Sequence, residues 1–239
     1  KPQIKFQDIF GEWLCDKAEV EKKLVAITPA MTEGSGMVNF EKQYPDRFYD
    51  VAIAEQHAVT FGAGLSLGGM KPVVAIYSTF LQRAYDQLIH DVCLENIDVT
   101  FALDRAGIVG EDGPTHSGSF DISFMRCIPN LVIATPSDED ETRILLNTCF
   151  EYSGPAAVRY PRGSGCGAQV NKELTTVELG KGKKINEGQD VCILNFGVLI
   201  DRALEIVKEE NYGLCDMRFV KPLDEELIDE ICKKYSKIV

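Results

Sequence analysis

Apolar residues at Phe6, Ile9, Phe10, Trp13 and Leu14 fall at i, i+3, i+4, i+7 and i+8, the stripe of an amphipathic helix opening the chain. Leu24 to Ile27 is a short apolar run, a strand stopped by Thr28-Pro29. Gly34-Ser35-Gly36 predicts a flexible turn before a helix carrying Met37, Phe40 and Tyr44. A strand over 48–54 follows, then a helix from Glu55 to Leu67, a strand from Val73 to Tyr77 and a helix from Phe80 to Leu94. Val99 to Leu103 reads as a strand entering a long polar loop, Asp104 to Ser119. Beyond it come a short helix (Phe120 to Arg126), a strand (Leu131 to Ala134), a helix (Ser137 to Tyr152) and a strand (Ala156 to Tyr160). Ser137, with Asp140 three residues on, is the expected cap of the third of these.

Strands of four to seven residues, apolar throughout, thus alternate with helices of ten or more. That alternation predicts an α/β fold built on a doubly wound, mostly parallel sheet with helices on both faces. Periodicity is lost over 161–190, which is rich in Gly, Lys and Thr and reads as a connecting segment. A second α/β unit then begins: strand Val191 to Phe196, helix Leu199 to Lys208, strand Leu214 to Phe219, helix Asp224 to Tyr235. It is expected to be too short to close a sheet of its own. The division expected is a first domain over 1–165, a linker over 166–190 and part of a second domain over 191–239.

Composition narrows the function. With 45% hydrophobic and 26% charged residues the chain can bury a core. A net charge of −12 argues against nucleic acid or an anionic membrane as partner, but not against a small anion held by a local Arg cluster. The eight cysteines form no C-x-x-C pair, and several lie in apolar runs, as thiols in a reducing compartment do. With only three histidines, His57, His90 and His116, no structural metal site is expected. No apolar run reaches the length of a membrane span and no signal peptide is visible, so a cytoplasmic location is expected, with a plastid stroma as the alternative. The start at Lys1 and the apolar run Ile238-Val239 at the end give both termini the look of a cut.

Candidate chemistry centres on Glu55. An apolar, β-rich run ends in this carboxylate and a Gly/Ala-rich helical pattern begins there, so it sits where a strand hands over to a helix. Along that edge open α/β sheets bind ligands, and a carboxylate held there can do proton chemistry. The plainer alternative is a helix N-terminal acid favoured by the macrodipole. The loop after Leu103 carries Asp112 and His116 among four glycines, counting Gly118, and its dense turn chemistry predicts a shaped loop. Arg105 and Arg162 both lie just past predicted strand ends, where guanidinium groups suit a phosphate ester or carboxylate; ordinary surface ion pairs are the competing account. Gly64-Leu65-Ser66-Leu67-Gly68 matches the nucleophile-elbow pattern but lies late in a helix and before a strand, the reverse of the required order. Gly62, Gly64 and Gly68 fail as a dinucleotide loop on the same context. His57 and His90 read as ordinary helix histidines.

Several runs resemble the synthase branch of the transketolase-like thiamine diphosphate enzymes. They are Ala52-Ile53-Ala54-Glu55-Gln56-His57-Ala58-Val59, the stretch from Tyr77 to Gln87, Asp104-Arg105-Ala106-Gly107-Ile108-Val109-Gly110, Thr135-Pro136-Ser137-Asp138-Glu139, the stretch from Ala157 to Gly163 and that from Met217 to Asp224. The stretch from Glu111 to His116 is similar to the transketolase version of the same loop. The resemblance covers nearly the whole chain. It implies a transketolase pyrimidine-binding fold and a transferase that condenses pyruvate, with loss of CO2, and D-glyceraldehyde 3-phosphate to 1-deoxy-D-xylulose 5-phosphate. That product feeds non-mevalonate isoprenoid and thiamine biosynthesis. Glu55 matches the residue that hydrogen-bonds the cofactor's aminopyrimidine and favours the tautomer able to take a proton. Phe80 matches the aromatic packed on that ring, and Ile53 a neighbouring cofactor contact. Tyr77, Arg105 and Arg162 match substrate positions, the arginines being the phosphate holders; Arg83 matches a position beside them. Asp112 and His116 match polar groups placed over the substrate's hydroxyls and reacting carbons.

The resemblance also implies thiamine diphosphate with Mg2+, and a homodimer. The family's diphosphate- and Mg2+-binding domain is missing from these residues, so the chain is expected to be inactive alone, either as a fragment of the whole synthase or as one subunit of a split enzyme. Three alternatives stay open: the β subunit of a 2-oxoacid dehydrogenase, a serine hydrolase using Ser66, and a non-catalytic interaction module.

Overall fold

The alternation of apolar strands and amphipathic helices becomes two sheets. The computed structural model describes residues 3–239, so residues 1 and 2 of the expected first domain lie outside the described residues. In chain order the strands are β1 (Leu24–Thr28), β2 (Phe48–Asp50), β3 (Lys71–Tyr77), β4 (Thr100–Asp104), β5 (Val132–Ala134), β6 (Ala156–Arg159), β7 (Lys183–Asn186), β8 (Val191–Asn195), β9 (Gly213–Asp216), β10 (Phe219–Lys221) and β11 (Lys237–Ile238). The helices are α1 (Phe6–Val20), α2 (Val38–Gln43), α3 (Glu55–Leu67), α4 (Ser78–Leu81), α5 (Tyr85–Gln87), α6 (Asp121–Arg126), α7 (Glu139–Glu151), α8 (Ile200–Glu210) and α9 (Glu225–Lys234).

The larger sheet has the order β10-β5-β6-β4-β3-β1-β2 and is parallel except for β10, which runs antiparallel to β5. Side chains alternate between its faces. Leu24, Ala26, Val73, Ala75 and Ala102 pack under Phe10, Trp13 and Leu14 of α1 and Leu146 and Phe150 of α7. Val74, Ile76, Phe101 and Leu103 pack under Ala58, Val59 and Ala63 of α3 and Leu81, Leu88 and Val92 beyond β3. Both faces are therefore covered, which is why the strands read as continuous apolar runs. The chain leaves β1 for β2 at the edge and returns to β3 on the other side of β1. That reversal opens a crevice at the carboxyl ends of β1 and β3, the place where open α/β sheets take ligands.

Several elements differ from their expected form. The strand expected over 48–54 pairs only to Asp50, whose Oδ1 accepts from the backbone N–H of Ala30 and of Ala52, both at 2.9 Å. Ala52 turns to φ +57° and takes the chain out of the sheet. The helix expected from Phe80 to Leu94 is a succession of α4, a 3₁₀ turn (Gln82–Ala84), α5 and a π turn (Leu88–Cys93). Leu81, Ala84, Leu88 and Val92, spaced three and four residues apart, all face inward, so the apolar pattern reads as one helix although short turns of other pitch interrupt it. The cap of α7 is Asp138, not Ser137: Asp138 Oδ1 accepts from Glu141 N–H at 2.8 Å, while Ser137 Oγ donates to Asp216 at 2.6 Å. Asp138→Ala is expected to lower stability by about 1 kcal/mol, checked as a shift in denaturant midpoint.

The aperiodic stretch 161–190 is ordered by side chains. Arg143 and Asn147 of α7 donate to the carbonyls of Lys172, Leu174 and Thr175, and Val170, Leu174, Val177 and Leu179 pack on the first core. Its end also supplies β7, antiparallel to β9. With β7 on one side and β11 on the other, the second unit does close a sheet, β11-β8-β9-β7, correcting the expectation that it was too short. The strand expected from Leu214 to Phe219 divides at Arg218 (φ +58°), β9 staying in the small sheet and β10 joining the large one. Ser137–Asp216 and the two-pronged Arg218–Glu141 pair tie the units together there. Among the described residues no helix is long and apolar enough to cross a membrane.

Candidate active site

Glu55 is the first residue of α3 and only 4% exposed. Its carboxylate accepts no hydrogen bond among the described residues; the nearest cation is Arg83, whose Nε stands 3.7 Å away. A buried carboxylate facing no donor is costly, and the positive end of α3 offsets only part of that cost. The arrangement suits a ligand that brings an N–H to Glu55, as the aminopyrimidine of thiamine diphosphate does, so the residues present fit that group. Ile53, 81% exposed, and half-buried Phe80 bracket the approach in sequence. Phe80 and Arg83 share the helical stretch after β3, so this stretch links Glu55 to the rest of the site.

The rest is a continuous cluster at the ends of β3, β4 and β6. The Tyr77 and Phe80 rings stack with centroids 5.7 Å apart, and His116 meets Phe80 edge-on at 5.2 Å. The Arg105 guanidinium lies 4.2 Å over the other ring of this pair, that of Tyr77. Arg105 Nη1 donates to the Gly34 carbonyl at 2.6 Å, to Gln7 Oε1 at 3.3 Å and to Asp104, which it contacts most closely of the three. Asp112 bridges the arginines, its Oδ2 being 2.9 Å from Arg162 Nε and 3.8 Å from Arg105 Nε. Arg162 also donates to Glu111 Oε1 at 2.6 Å. The loop holding Asp112 and His116 is shaped as expected: Gly107 and Gly118 exchange backbone hydrogen bonds of 2.9 and 2.8 Å, and short 3₁₀ turns occupy Gly110–Asp112 and Pro114–His116.

Burial sets the electrostatics under this cluster. It pushes the Asp104 carboxyl up to about 7, against the downward pull of Arg105's charge and hydrogen bonds. Burial likewise raises the hydroxyl of Tyr77, with Arg105 pulling it down, and raises that of Tyr160, which finds no hydrogen-bond partner.

The residues that the resemblance marked as site positions fall in two groups. Tyr77, Phe80, Arg105, Asp112, His116 and Arg162 touch in succession, while Glu55 pairs with Arg83, and Ile53 lies exposed two residues before Glu55. Among the described residues no group of three or more His, Cys, Asp or Glu could hold a metal ion. Ser66 lies in the last turn of α3 and forms no strand–turn–helix elbow. His57 and His90 are exposed on helical surface, the first stacked on Phe61 and the second bonded to Asp91.

Three residues were not foreseen. Gly34, read as part of a flexible turn, is a point of closest approach: a Cβ there would lie 1.9 Å from the Tyr77 hydroxyl oxygen. Met31 Sδ accepts from the Tyr77 backbone N–H at 3.3 Å. Gln7 reaches Arg105 across 98 residues of sequence. The glycine pair around Ser35 was the one visible signal; nothing local marked Met31 or Gln7.

Two family profiles match the chain: "Transketolase, pyrimidine binding domain" over residues 2–166, and "Transketolase, C-terminal domain" over residues 180–239. The 1-deoxy-D-xylulose-5-phosphate synthase of Cellvibrio japonicus is 63% identical over 237 residues, 99% of this chain and 37% of that protein. That of Bordetella parapertussis is 61% identical over 234 residues, 98% of this chain and 38% of that protein. The chain spans about 37% of the length of the curated relatives it matches. Among solved structures, a split-gene transketolase described as an inactive β4 tetramer superposes with a TM-score of 0.87 at 27% identity, covering 99% of this chain and 78% of that one. Transketolase from Campylobacter jejuni superposes with a TM-score of 0.79 at 17% identity, over 99% of this chain and 42% of the other, a likeness of fold.

Proposed function

Since the chain belongs to the transketolase family, with its pyrimidine-binding and C-terminal domains, we propose that it is the acceptor-binding part of a 1-deoxy-D-xylulose-5-phosphate synthase. The reaction is the decarboxylating condensation of pyruvate with D-glyceraldehyde 3-phosphate. One observation carries the reading: a buried carboxylate without a donor and a pair of arginines stand at the carboxyl ends of one parallel sheet, and the Tyr77–Phe80 shelf runs from Arg105 into the helical stretch that carries Arg83, the partner of Glu55.

Thiamine diphosphate supplies, when bound, the nucleophilic carbon and the electron sink that decarboxylation of a 2-oxo acid needs. Glu55, with Arg83 as its counter-ion, would hold the cofactor's pyrimidine by accepting an N–H from it. Phe80 and Ile53 would supply apolar surface to hold that ring. Arg105 and Arg162 seat the acceptor's phosphate, because planar guanidinium groups match its oxygens two at a time. Tyr77 carries Arg105 on its ring face and closes that end of the site. Asp112 and His116 exchange protons with the acceptor's hydroxyl and carbonyl oxygens.

In this reading Mg2+ and the cofactor's diphosphate are held by a domain outside these residues, and the chain does not turn over alone. The enzyme works as a homodimer in the cytoplasm, with the first domain ending at 165 and the second taking in β7 ahead of residue 191. The test is an assay of the full-length enzyme for 1-deoxy-D-xylulose 5-phosphate and CO2, run on wild type and Arg162→Ala. Arg162→Ala is expected to raise KM for D-glyceraldehyde 3-phosphate about tenfold or more while KM for pyruvate barely moves. Equal losses for both substrates would refute the phosphate seat.

A further inference from the structure

Beside the arginines lies a cleft of about 260 Å³ lined by Lys5, Gln7, Arg105, Glu111, Arg162 and Gly163. Two backbone contacts bring the start of α1 to this place. Phe6 N–H donates to the Gly163 carbonyl at 3.0 Å, and Lys5 forms an isolated antiparallel bridge with Ser164. Gln7 thereby shares the cleft with Arg162 and bonds Arg105.

The cleft's polar groups are unevenly satisfied. Arg105 is 91% buried by its 9% exposure, and its Nε has no hydrogen-bond partner although three acceptors crowd Nη1. Gln7 has its carbonyl oxygen turned to Arg105, because only an acceptor can face a guanidinium N–H. Its NH2 arm finds no acceptor among the described residues. Lys5 is exposed and makes no ion pair among the described residues. Carboxylates stand here too: Asp112 between the arginines, Asp104 beneath Arg105, and Glu111 on Arg162. Glu111 is the outermost, 78% exposed, and so the one an incoming anion displaces at least cost.

We propose that Gln7 determines specificity for a phosphorylated acceptor: its NH2 bonds the phosphate while its carbonyl oxygen keeps Arg105 in place. The inference rests on the phosphate seat argued above and deepens it. A glutamine suits the position because it accepts on one arm and donates on the other. A glutamate would keep the bond to Arg105 and turn the second arm into a repelling charge. Its carboxylate at the first turn of a helix is also favourable to the fold.

The experiment compares Gln7→Glu, Gln7→Ala and Arg162→Ala in the full-length enzyme, with D-glyceraldehyde 3-phosphate and with unphosphorylated D-glyceraldehyde as acceptors. Gln7→Glu is expected to raise KM for the phosphorylated acceptor about tenfold or more, and Gln7→Ala by less, with KM for pyruvate and kcat/KM for D-glyceraldehyde unchanged. Circular dichroism melts establish that each variant is folded. If Arg162→Ala discriminates between the two acceptors and Gln7→Glu does not, the role of Gln7 is overturned while the phosphate seat stands. If neither discriminates, the seat itself is wrong and the inference falls with it. A loss of equal size with both acceptors would mark Gln7 as structural and overturn its role in specificity.

Discussion

Glu55→Ala in the full-length enzyme is expected to cut turnover of pyruvate with D-glyceraldehyde 3-phosphate about 10²- to 10⁴-fold, with no loss of stability. The two halves of that expectation come from the same geometry. Glu55 is buried, accepts no hydrogen bond among the described residues, and has only Arg83 at 3.7 Å. Removing it deletes a buried carboxylate that accepts no hydrogen bond and has one long ion pair with an exposed arginine, so the melting temperature should hold or rise. Residues that function keeps against stability behave this way. Glu55→Gln separates charge from shape, since the amide fills the same space without holding a negative charge; it should lose nearly as much activity as the alanine. Near-normal turnover in either variant would sink the assignment of Glu55.

Arg105→Ala should be the most damaging change in the acceptor half. Arg105 and Asp104 are both buried, and removing one partner leaves the other carboxylate unpaired at a cost of about 3–5 kcal/mol. The pH dependence follows from Asp104. Its folded-state carboxyl is raised from 3.8 to about 7 by burial, so the folded state holds the proton better than the unfolded chain. Its contribution to stability is therefore full below the unfolded value and is lost as pH rises through about 7. Without Arg105's charge to pull it down, Asp104 moves higher still. The variant's deficit in melting temperature should then be larger at about pH 8 than at about pH 5, and Asp104→Asn in the Arg105→Ala background should remove that difference. A deficit independent of pH would show that Asp104 is not the group left exposed to the cost. Among molecules that fold, the phosphorylated acceptor should lose affinity about 10- to 100-fold relative to pyruvate.

What the chain's own pattern determined was local. Apolar runs bounded by Thr28-Pro29 or followed by Gly-rich turns specified the parallel strands, because a strand buried on both faces must be apolar throughout. Helix α3 begins at Glu55 and ends at Leu67 as its 3.6-residue period requires. The order of strand and helix also located the edge on which Glu55, Arg105 and Arg162 would stand, since each follows a strand. The runs resembling the transketolase-like enzymes named the chemistry of that edge.

Tertiary structure decided whatever depends on a partner far along the chain. The cap of α7 went to Asp138 because Ser137 is drawn to Asp216, 79 residues away. Residues 167–177 have no period because side chains of α7, not a ladder of their own, meet much of their backbone. The stretch after β3 breaks into α, 3₁₀ and π turns, although its inward residues Leu81, Ala84, Leu88 and Val92 are spaced three and four apart as in one continuous helix. Gly34 is needed because the Tyr77 hydroxyl occupies the space of its missing Cβ, and Gln7 matters because Arg105 lies against it. Periodicity records which face of an element is buried; it carries no record of which distant side chain is buried against it.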